Sequence, residues 1–186
     1  MIDRAVECLM TVGRQLHEGG LNAGTAGNLS ARLDGAQVVM TRSRVRKASL
    51  TPDDFIVFDM ERPSAFALER ASSEFRLHLA AYRTDSVAAV IHAHSPALTA
   101  IGLRRSSFPT SLPELNSVVG EIVINPFEPS GSERLADDVG RVVQQGVGIV
   151  ILKRHGVVSV GESIGQALDR LELSENAART LLLAER

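Results

Sequence analysis

The stretch GIVILKRHGVVSVG, residues 148–161, constrains the fold of this chain more than any other feature. It contains two β-branched apolar runs separated by a few residues around Gly156, a spacing that predicts an antiparallel hairpin. Further apolar runs predict other strands: AQVVMT at 36–41, FIVFD at 55–59, VAAVIHAHS at 87–95 and EIVIN at 121–125. A hairpin within such a set excludes an all-parallel sheet and favours a mixed, largely antiparallel one.

Segments with helical periodicity lie between these strands without strict alternation. Helices are predicted in the first eighteen residues and at 71–83, 95–105, 130–146 and 163–185. The Gly- and Asn-rich stretch 20–35 and the basic stretch 41–54 are predicted to be loops. We therefore expect residues 1–186 to form a single α/β domain, a three-layer α/β/α sandwich around a mixed, largely antiparallel sheet. No GxGxxG motif follows the first strand, which argues against a Rossmann dinucleotide site.

Composition narrows the class of protein. Of the 186 residues, 44% are hydrophobic and 23% are charged, so a full core can form. The single cysteine, Cys8, excludes an internal disulfide and a Cys-rich zinc site. A net charge of −2 gives no reason to expect a nucleic-acid partner, and no apolar run approaches a membrane span. The N-terminus lacks a signal-peptide layout, so we expect a cytoplasmic location.

The histidines are the strongest candidates for a metal site. His92 and His94 are one residue apart at the end of a predicted buried strand, so their imidazoles can face the same side. His155 also follows an apolar strand. Three imidazoles suit zinc and leave a coordination position open for water or substrate, although HxH alone is common by chance. We interpret His17 as solvated and His78 as structural.

Two stretches suit an anion, and an acid lies beside one of them. GTAGNLS, residues 24–30, offers backbone N–H groups, an amide and hydroxyls. Ser72 and Ser73 lie at the N-terminus of the helix predicted at 71–83, where either can be the cap and where unpaired N–H groups attract phosphate; Glu74 is then in the first turn. An ordinary glycine turn and an ordinary serine cap are the alternatives. Glu74 is either a general base beside the metal or an acid that favours the helix terminus.

Together these motifs resemble a known family. TAGNLSAR, TRSRVRKASLTPDDFIVFD, SSEFRLHLAAYR, VIHAHSP and LKRHGVVSVG follow one another in the order found in the class II aldolase/adducin family, typified by L-fuculose-1-phosphate aldolase. The resemblance covers essentially the whole chain. It implies a cyclic homotetramer with active sites between subunits and one Zn²⁺, or another divalent ion, per chain. It further implies that His92, His94 and His155 are the metal ligands and Glu74 the catalytic acid/base.

The same resemblance implies a substrate and a reaction. Asn28, Ser43, Ser72 and Ser73 match positions that hold a substrate phosphate, and Gly27 shapes the first loop of that substrate site. The implied activity is that of a lyase which cleaves a small phosphorylated ketose through a metal-stabilised enediolate, with zinc as Lewis acid. A carboxylate then moves the proton that the enediolate gains or loses.

The chain departs from the family pattern in places that concern the substrate. Arg44 stands where the family usually has glycine; it either crowds the phosphate contact or binds the anion with its guanidinium. The stretch SFPTSLPELNS, 107–117, lacks the tyrosine that the fuculose-phosphate type contributes to a neighbouring subunit, and the chain ends soon after its last helix. These departures argue against fuculose phosphate itself. The other basic residues of the Arg44 loop fit a solvated face: Arg42, Arg46 and Lys47.

Other functions use the same residues. A sugar-phosphate dehydratase, decarboxylase or 4-epimerase on this scaffold is the main alternative. An adducin-like interaction module, which would not be an enzyme, lacks the metal histidines that this chain keeps. A Schiff-base aldolase would need Lys47 or Lys153, the only lysines in the chain.

Overall fold

The computed structural model describes residues 2–109 and 113–185, which form helices on both faces of one sheet. The strands are β1 (Asn28–Arg32), β2 (Gln37–Thr41), β3 (Phe55–Asp59), β4 (Ala89–Ala93), β5 (Ile122–Asn125), β6 (Ile149–Leu152) and β7 (Gly156–Gly161). The helices are α1 (Ile2–Glu18), α2 (Ala65–Arg70), α3 (Phe75–Ala81), α4 (Pro96–Arg104), α5 (Pro113–Val118), α6 (Glu133–Gln144) and α7 (Ile164–Ala184).

The sheet has the strand order β3-β2-β1-β4-β7-β6-β5. Every neighbouring pair is antiparallel except β5 and β6, which are parallel. The predicted hairpin is confirmed: β6 pairs with β7 in a register that sets Leu152 opposite Gly156. The fold class predicted from the sequence is therefore confirmed, a mixed and largely antiparallel sheet between helical layers.

Each face of the sheet has its own apolar core. Residues of α1, α4 and α7 pack on one face, against side chains such as Leu29 and Ile91. Residues of α2, α3 and α6 pack on the other face, against side chains such as Val90 and Val158. Val90 and Ile91 are fully buried neighbours in β4 that belong to opposite cores, as the two-residue period of a strand requires. In the part of the chain that the structure describes, no helix is long and apolar enough to cross a membrane.

Some local predictions were wrong. Residues 20–35, predicted as a loop, contain β1, an inner strand with only Arg32 incompletely buried. The polar side chains of Asn28 and Ser30 form hydrogen bonds with other side chains inside the protein. These bonds replace the hydrogen bonds to water that the same residues would form in an exposed loop. The six-residue helices α2 and α5 were not predicted, because so few turns give no periodicity. Thr110–Leu112, in the stretch that lacks a tyrosine, lie outside the described residues.

The strand directions bring several chain segments to one edge of the sheet. β2, β4, β5 and β6 end at this edge, and β1, β3 and β7 begin there. The register sets the start of β1 beside the end of β4, with Asn28 opposite His92. Loops that are far apart in sequence therefore meet above the centre of the sheet.

Candidate active site

Three histidines converge above the central strands. His92 lies in β4, His94 directly follows that strand, and His155 lies in the turn from β6 to β7. The ring centroids are 4.7 Å apart for His92 and His155, and 5.1 Å for each of the other two pairs. One ring nitrogen from each histidine lies within 4.8 Å of the other two.

The surroundings keep these imidazoles neutral. Burial holds the pKa of His92 well below its ordinary value, and the neighbouring His155 and His94 lower it further. Burial also lowers the pKa of His94 and of His155, although the Glu74 carboxylate opposes the effect on His155. Nδ1 of His92 donates to the carbonyl of Val157 at 3.1 Å, which leaves Nε2 as its free acceptor. A neutral ring with one nitrogen anchored in this way is the form in which histidine binds a metal.

Glu74 faces the same cavity from the start of α3. The sequence predicted Ser72 or Ser73 as the cap and Glu74 within the first turn, but the helix begins at Phe75 and Glu74 itself is the N-cap. The Glu74 side chain is buried, and its Oε1 accepts a hydrogen bond from Ser130 Oγ. Its Oε2 is buried without a hydrogen-bond partner among the described residues. A buried carboxylate oxygen that makes no hydrogen bond can interact with a cation or a substrate proton.

The loop before β1 approaches the triad closely. Gly27 has φ +67°, and a Cβ there would collide with the carbonyl oxygen of His92 and the side chain of Asn22. Only glycine fits both the conformation and the space. Asn22 connects this loop to His94. Its Oδ1 accepts a hydrogen bond from the backbone N–H of His94 at 3.3 Å, and its Nδ2 donates one to the carbonyl of Ala26 at 2.6 Å.

A buried chain of hydrogen bonds fixes Asn28. His78 Nε2 donates to Asn28 Oδ1, and Ser30 Oγ donates to His78 Nδ1 at 2.6 Å. Tyr82 is within hydrogen-bond distance of Ser30, with 2.7 Å between the hydroxyl oxygens. With its oxygen engaged by His78, Asn28 turns its Nδ2 toward Ser72 Oγ, 2.9 Å away. His78 does not belong to the triad; it orients the amide that lines the cavity.

The loop after β2 contributes Ser43 and Arg44, both exposed to solvent. Arg44 has φ +61°, one of two left-handed non-glycine residues in the described chain. This conformation accounts for the glycine that the family pattern has at this position, and it costs arginine about 1–2 kcal/mol. Within the described residues the Arg44 side chain has no ion pair or hydrogen bond.

One cavity of about 380 Å³ brings together every site residue that the sequence predicted. These are Gly27, Asn28, Ser43, Arg44, Ser72, Ser73, Glu74, His92, His94 and His155. Sequence reasoning missed three further lining residues, Thr25, Arg42 and Ser130. Nothing in the segment PSGS, which also supplies the α6 cap Ser132, distinguishes Ser130 as a partner of Glu74. His17 is exposed on α1 and does not line this cavity.

The prediction that Lys47 lies on a solvated face was wrong, because its side chain is buried. Its ammonium donates to the carbonyls of Val45 at 2.7 Å and Thr25 at 3.0 Å, and so joins the loops before β1 and after β2. Burial lowers the pKa of Lys47 to about 8. The ammonium is held by these carbonyls and Lys47 does not line the cavity, so its role here is to hold the two loops together.

Comparison with known proteins agrees with this geometry. A sequence model of the Class II Aldolase and Adducin N-terminal domain matches residues 7–182. The chain belongs to the class II aldolase and adducin family. The matched range includes all ten predicted site residues, from Gly27 to His155.

Relatives within the class II aldolase family differ in the reaction they are named for. An L-fuculose phosphate aldolase of Methanococcus maripaludis is 30% identical, over 89% of this chain and 89% of that protein. A 3-oxo-tetronate 4-phosphate decarboxylase of Haemophilus influenzae is also 30% identical, over 93% of this chain and 84% of that protein. The crystal structure of L-fuculose-1-phosphate aldolase from Thermus thermophilus superposes with a TM-score of 0.90 at 29% identity, covering 98% of this chain and 95% of that one.

The residues of this class II aldolase family member fit a divalent metal ion. Three neutral imidazoles form a donor set that suits zinc and leaves a position open. Two buried atoms of the site have no hydrogen-bond partner in the described chain: Oε2 of Glu74 and the ring nitrogen Nδ1 of His155. His92, His94 and His155 could therefore hold a metal ion next to the Glu74 carboxylate.

Proposed function

We propose that this protein is a zinc-dependent lyase of the aldolase type that cleaves a small phosphorylated ketose. The observation that supports this most is the shared cavity: three converging imidazoles, a buried carboxylate and a group of amide, hydroxyl and guanidinium donors line the same space. The first set suits a divalent metal, the second suits proton transfer, and the third suits an anion.

His92, His94 and His155 would hold the zinc ion. When bound, zinc supplies a Lewis acid that polarises the substrate carbonyl and stabilises the enediolate charge. The histidines keep this centre in place because two of them belong to or directly follow β4, and the third lies in the β6–β7 turn. The hydrogen bond from His92 to Val157 fixes its ring orientation.

Glu74 would move the proton. Its Oε1 is held by the Ser130 hydroxyl, which leaves Oε2 as the oxygen that can take a proton from substrate and return it. Burial at the edge of the cavity keeps bulk water from competing for that oxygen.

The donors on the β1 side would hold the phosphate. Asn28 Nδ2 donates to Ser72 Oγ, and Ser43, Ser73 and Arg44 line the same cavity. Hydrogen bonds to an anion from such groups are about twice as strong as those between neutral groups. Binding energy from the phosphate would orient the carbonyl over the histidines.

A different reaction on the same scaffold is the second candidate, because the relatives include a decarboxylase as well as aldolases. Dehydration and 4-epimerisation would use the same metal and phosphate residues. An adducin-like interaction module has less support, since all three histidines are kept and converge. A Schiff-base aldolase also has less support, because Lys47 is held by two carbonyls and neither lysine lines the cavity.

The test uses zinc-loaded protein and three substrates. Ketose 1-phosphates should yield dihydroxyacetone phosphate, and a chelator should abolish this activity while added zinc restores it. Release of CO₂ from 3-oxo-tetronate 4-phosphate, or loss of water from methylthioribulose phosphate, at a higher kcat/KM would replace the aldolase assignment with that reaction. Covalent trapping by borohydride together with full resistance to the chelator would reject the metal mechanism.

We further propose a cytoplasmic homotetramer with active sites at the subunit interfaces. Three leucines on α4 and α7 have more than a third of their surface exposed: Leu103, Leu173 and Leu183. Another subunit could cover these exposed apolar side chains. Light scattering at micromolar concentration should give four times the 20.0 kDa chain mass. A monomer of full activity would rule out shared active sites.

A further inference from the structure

Glu175 is a buried acid that the proposed reaction does not use. It lies in the middle of α7, its side chain is 2% exposed, and it does not line the candidate active-site cavity. A buried carboxylate needs hydrogen-bond donors to offset the loss of water. The identity of its donors therefore indicates what this residue does.

Three donors to Glu175 belong to the start of α4. Its Oε1 accepts from the backbone N–H of Ala97 at 3.1 Å. Its Oε2 accepts from the backbone N–H of Leu98 at 3.0 Å and from the Ser95 hydroxyl. A fourth donor is Nε of Arg179, one turn further along α7, at 3.0 Å from Oε1. Both carboxylate oxygens are thus engaged, mostly by a segment 77–80 positions earlier in the sequence.

Glu175 supplies the cap of α4 from another helix. Ser95 is the N-cap residue of α4, but its side chain makes no capping hydrogen bond, whereas the serines that begin α6 and α7 do. Pro96 has no N–H, so the orphan donors of this buried first turn are those of Ala97 and Leu98. The carboxylate accepts from both, and its negative charge suits the positive end of the helix dipole.

The segment held by Glu175 directly follows a candidate metal ligand. His94 immediately precedes Ser95, outside β4, and its ring forms no hydrogen bond within the described chain. His92 differs, because it lies within β4 and its ring is bonded to a β7 carbonyl. The position of the His94 ring therefore depends on its backbone, which Asn22 holds at the N–H and Glu175 holds through the next residue.

We propose that Glu175 is a positioning residue for His94. By holding the first turn of α4, it fixes the backbone that places the His94 imidazole next to those of His92 and His155. It contacts neither the metal nor the substrate. This inference rests on the metal role proposed for the three histidines, and it adds to that site a residue of α7, on the sheet face where α1, α4 and α7 pack.

Glu175→Gln tests the inference at nearly constant side-chain volume. The amide keeps one acceptor oxygen but turns an NH₂ group toward the N–H of Ala97 or Leu98, so two donors face each other. The Kd for Zn²⁺, measured by competition with a chromophoric chelator, should rise at least about tenfold. Glu172→Gln, at an exposed position of the same helix, is the matched control and should keep the Kd of the unaltered protein.

A measurement on metal-free protein separates positioning from general loosening of the fold. Histidine-selective ¹³C labelling gives a ring signal in the NMR spectrum for each of the five histidines, and the signal that His94→Ala removes is that of His94. In Glu175→Gln this signal should shift, whereas the signal of His78, which lies in α3 on the other face of the sheet, should stay in place.

Ser95→Ala is a milder variant that removes only the hydroxyl bond to the carboxylate, and it should raise the Kd about threefold. It decides the matter by the same two measurements if circular dichroism shows that Glu175→Gln does not fold. An unchanged Kd with an unmoved His94 signal would reject the inference, and so would a shift of His78 as large as that of His94. If the unaltered protein binds no zinc, the proposed metal site fails instead, and the His94 signal alone decides this inference.

Discussion

The two ends of the candidate active site are built differently. At the metal end His92 is 1% exposed, and β4 is hydrogen-bonded on both sides. At the phosphate end Ser43 and Arg44 are exposed, on a loop whose arginine adopts a left-handed conformation. The difference indicates that the proposed metal ligands are fixed by the centre of the sheet, whereas the proposed phosphate contacts depend in part on a loop at the surface.

This contrast predicts losses of different kinds. Substitutions at the metal end should remove the reaction, and substitutions at the phosphate end should weaken substrate binding while the reaction survives. The predictions that follow run from the largest expected loss to the smallest.

The largest effect is expected at the triad. Purified protein should contain about one divalent ion per chain, and His92→Ala should reduce this to a small fraction and abolish activity, because two imidazoles cannot hold zinc as three do. Metal analysis by mass spectrometry measures the occupancy. His17→Ala, on the exposed face of α1, is the matched control and should keep its metal. Full occupancy in His92→Ala would show that the ligands are misassigned.

Glu74→Gln should leave the fold and most of the metal in place but lower turnover by on the order of 10²–10⁴, the usual contribution of a general acid/base. The amide can still accept the hydrogen bond of Ser130, but it cannot move a proton. Steady-state kinetics and metal content together test this. Glu69→Gln, at a largely exposed position of α2, is the control. Normal turnover in Glu74→Gln would make that residue a helix cap only.

Arg44→Ala should weaken binding without removing the reaction. Loss of a guanidinium that contacts phosphate should raise KM for a phosphorylated substrate, or Kd for inorganic phosphate, by at least about tenfold, ~1.4 kcal/mol. Arg46→Ala removes an exposed charge nearby that does not line the cavity, and should change little.

Arg44→Gly separates charge from backbone conformation. Glycine relieves the left-handed strain at φ +61° but also removes the guanidinium. We expect it to bind phosphate as weakly as the alanine variant. Tighter binding by Arg44→Gly, with no loss in Arg44→Ala, would mean that Arg44 only disturbs the loop.

The last prediction concerns stability rather than activity, at His78, whose ring hydrogen-bonds to Asn28. Burial lowers the pKa of His78 to about 3 in the folded protein, against about 6.5 for an ordinary histidine. Below pH 6.5 the unfolded chain therefore binds a proton that the folded chain does not. His78 thus destabilises the fold by up to about 1.4 kcal/mol for each pH unit below that value, and has no such effect above it.

Thermal melts between pH 7.5 and pH 5 measure this dependence. His78→Gln can keep the donor to Asn28 and the acceptor for Ser30 without a titrating group, so its Tm should fall less steeply with acid than that of the unaltered protein. His17→Gln is exposed and should not change the slope. Equal slopes for His78→Gln and the unaltered protein would contradict the prediction.

The sequence predicted that His92, His94 and His155 would meet, and the structure brings them together. His92 and His94 follow an apolar run and His155 follows another, so periodicity and spacing were enough to suggest that they meet. The hairpin of β6 and β7 was predictable for the same reason, since both runs are β-branched and the turn between them is short.

The local structure around the proposed phosphate residues was predicted less well, because contacts between residues far apart in the sequence determine it. β1 contains Asn28 and Ser30, which resemble loop residues until His78, 50 and 48 positions away, satisfies them. Lys47 is buried next to three exposed or half-buried arginines, and local sequence does not distinguish it from them. Ser130 meets Glu74 across 56 positions, a pairing that only the fold creates.

The central position of β4 also determines which parts of this site can unfold locally. β4 and β7 each have a strand on both sides, and His92 sits opposite Asn28 on β1 and Val158 on β7. Amide protons in such a place exchange with solvent only when the whole domain unfolds, while surface loops open at far lower free energy. The loop with Ser43 and Arg44 lies outside these strands, and we therefore expect its amide protons to exchange at a lower free energy than those of β4.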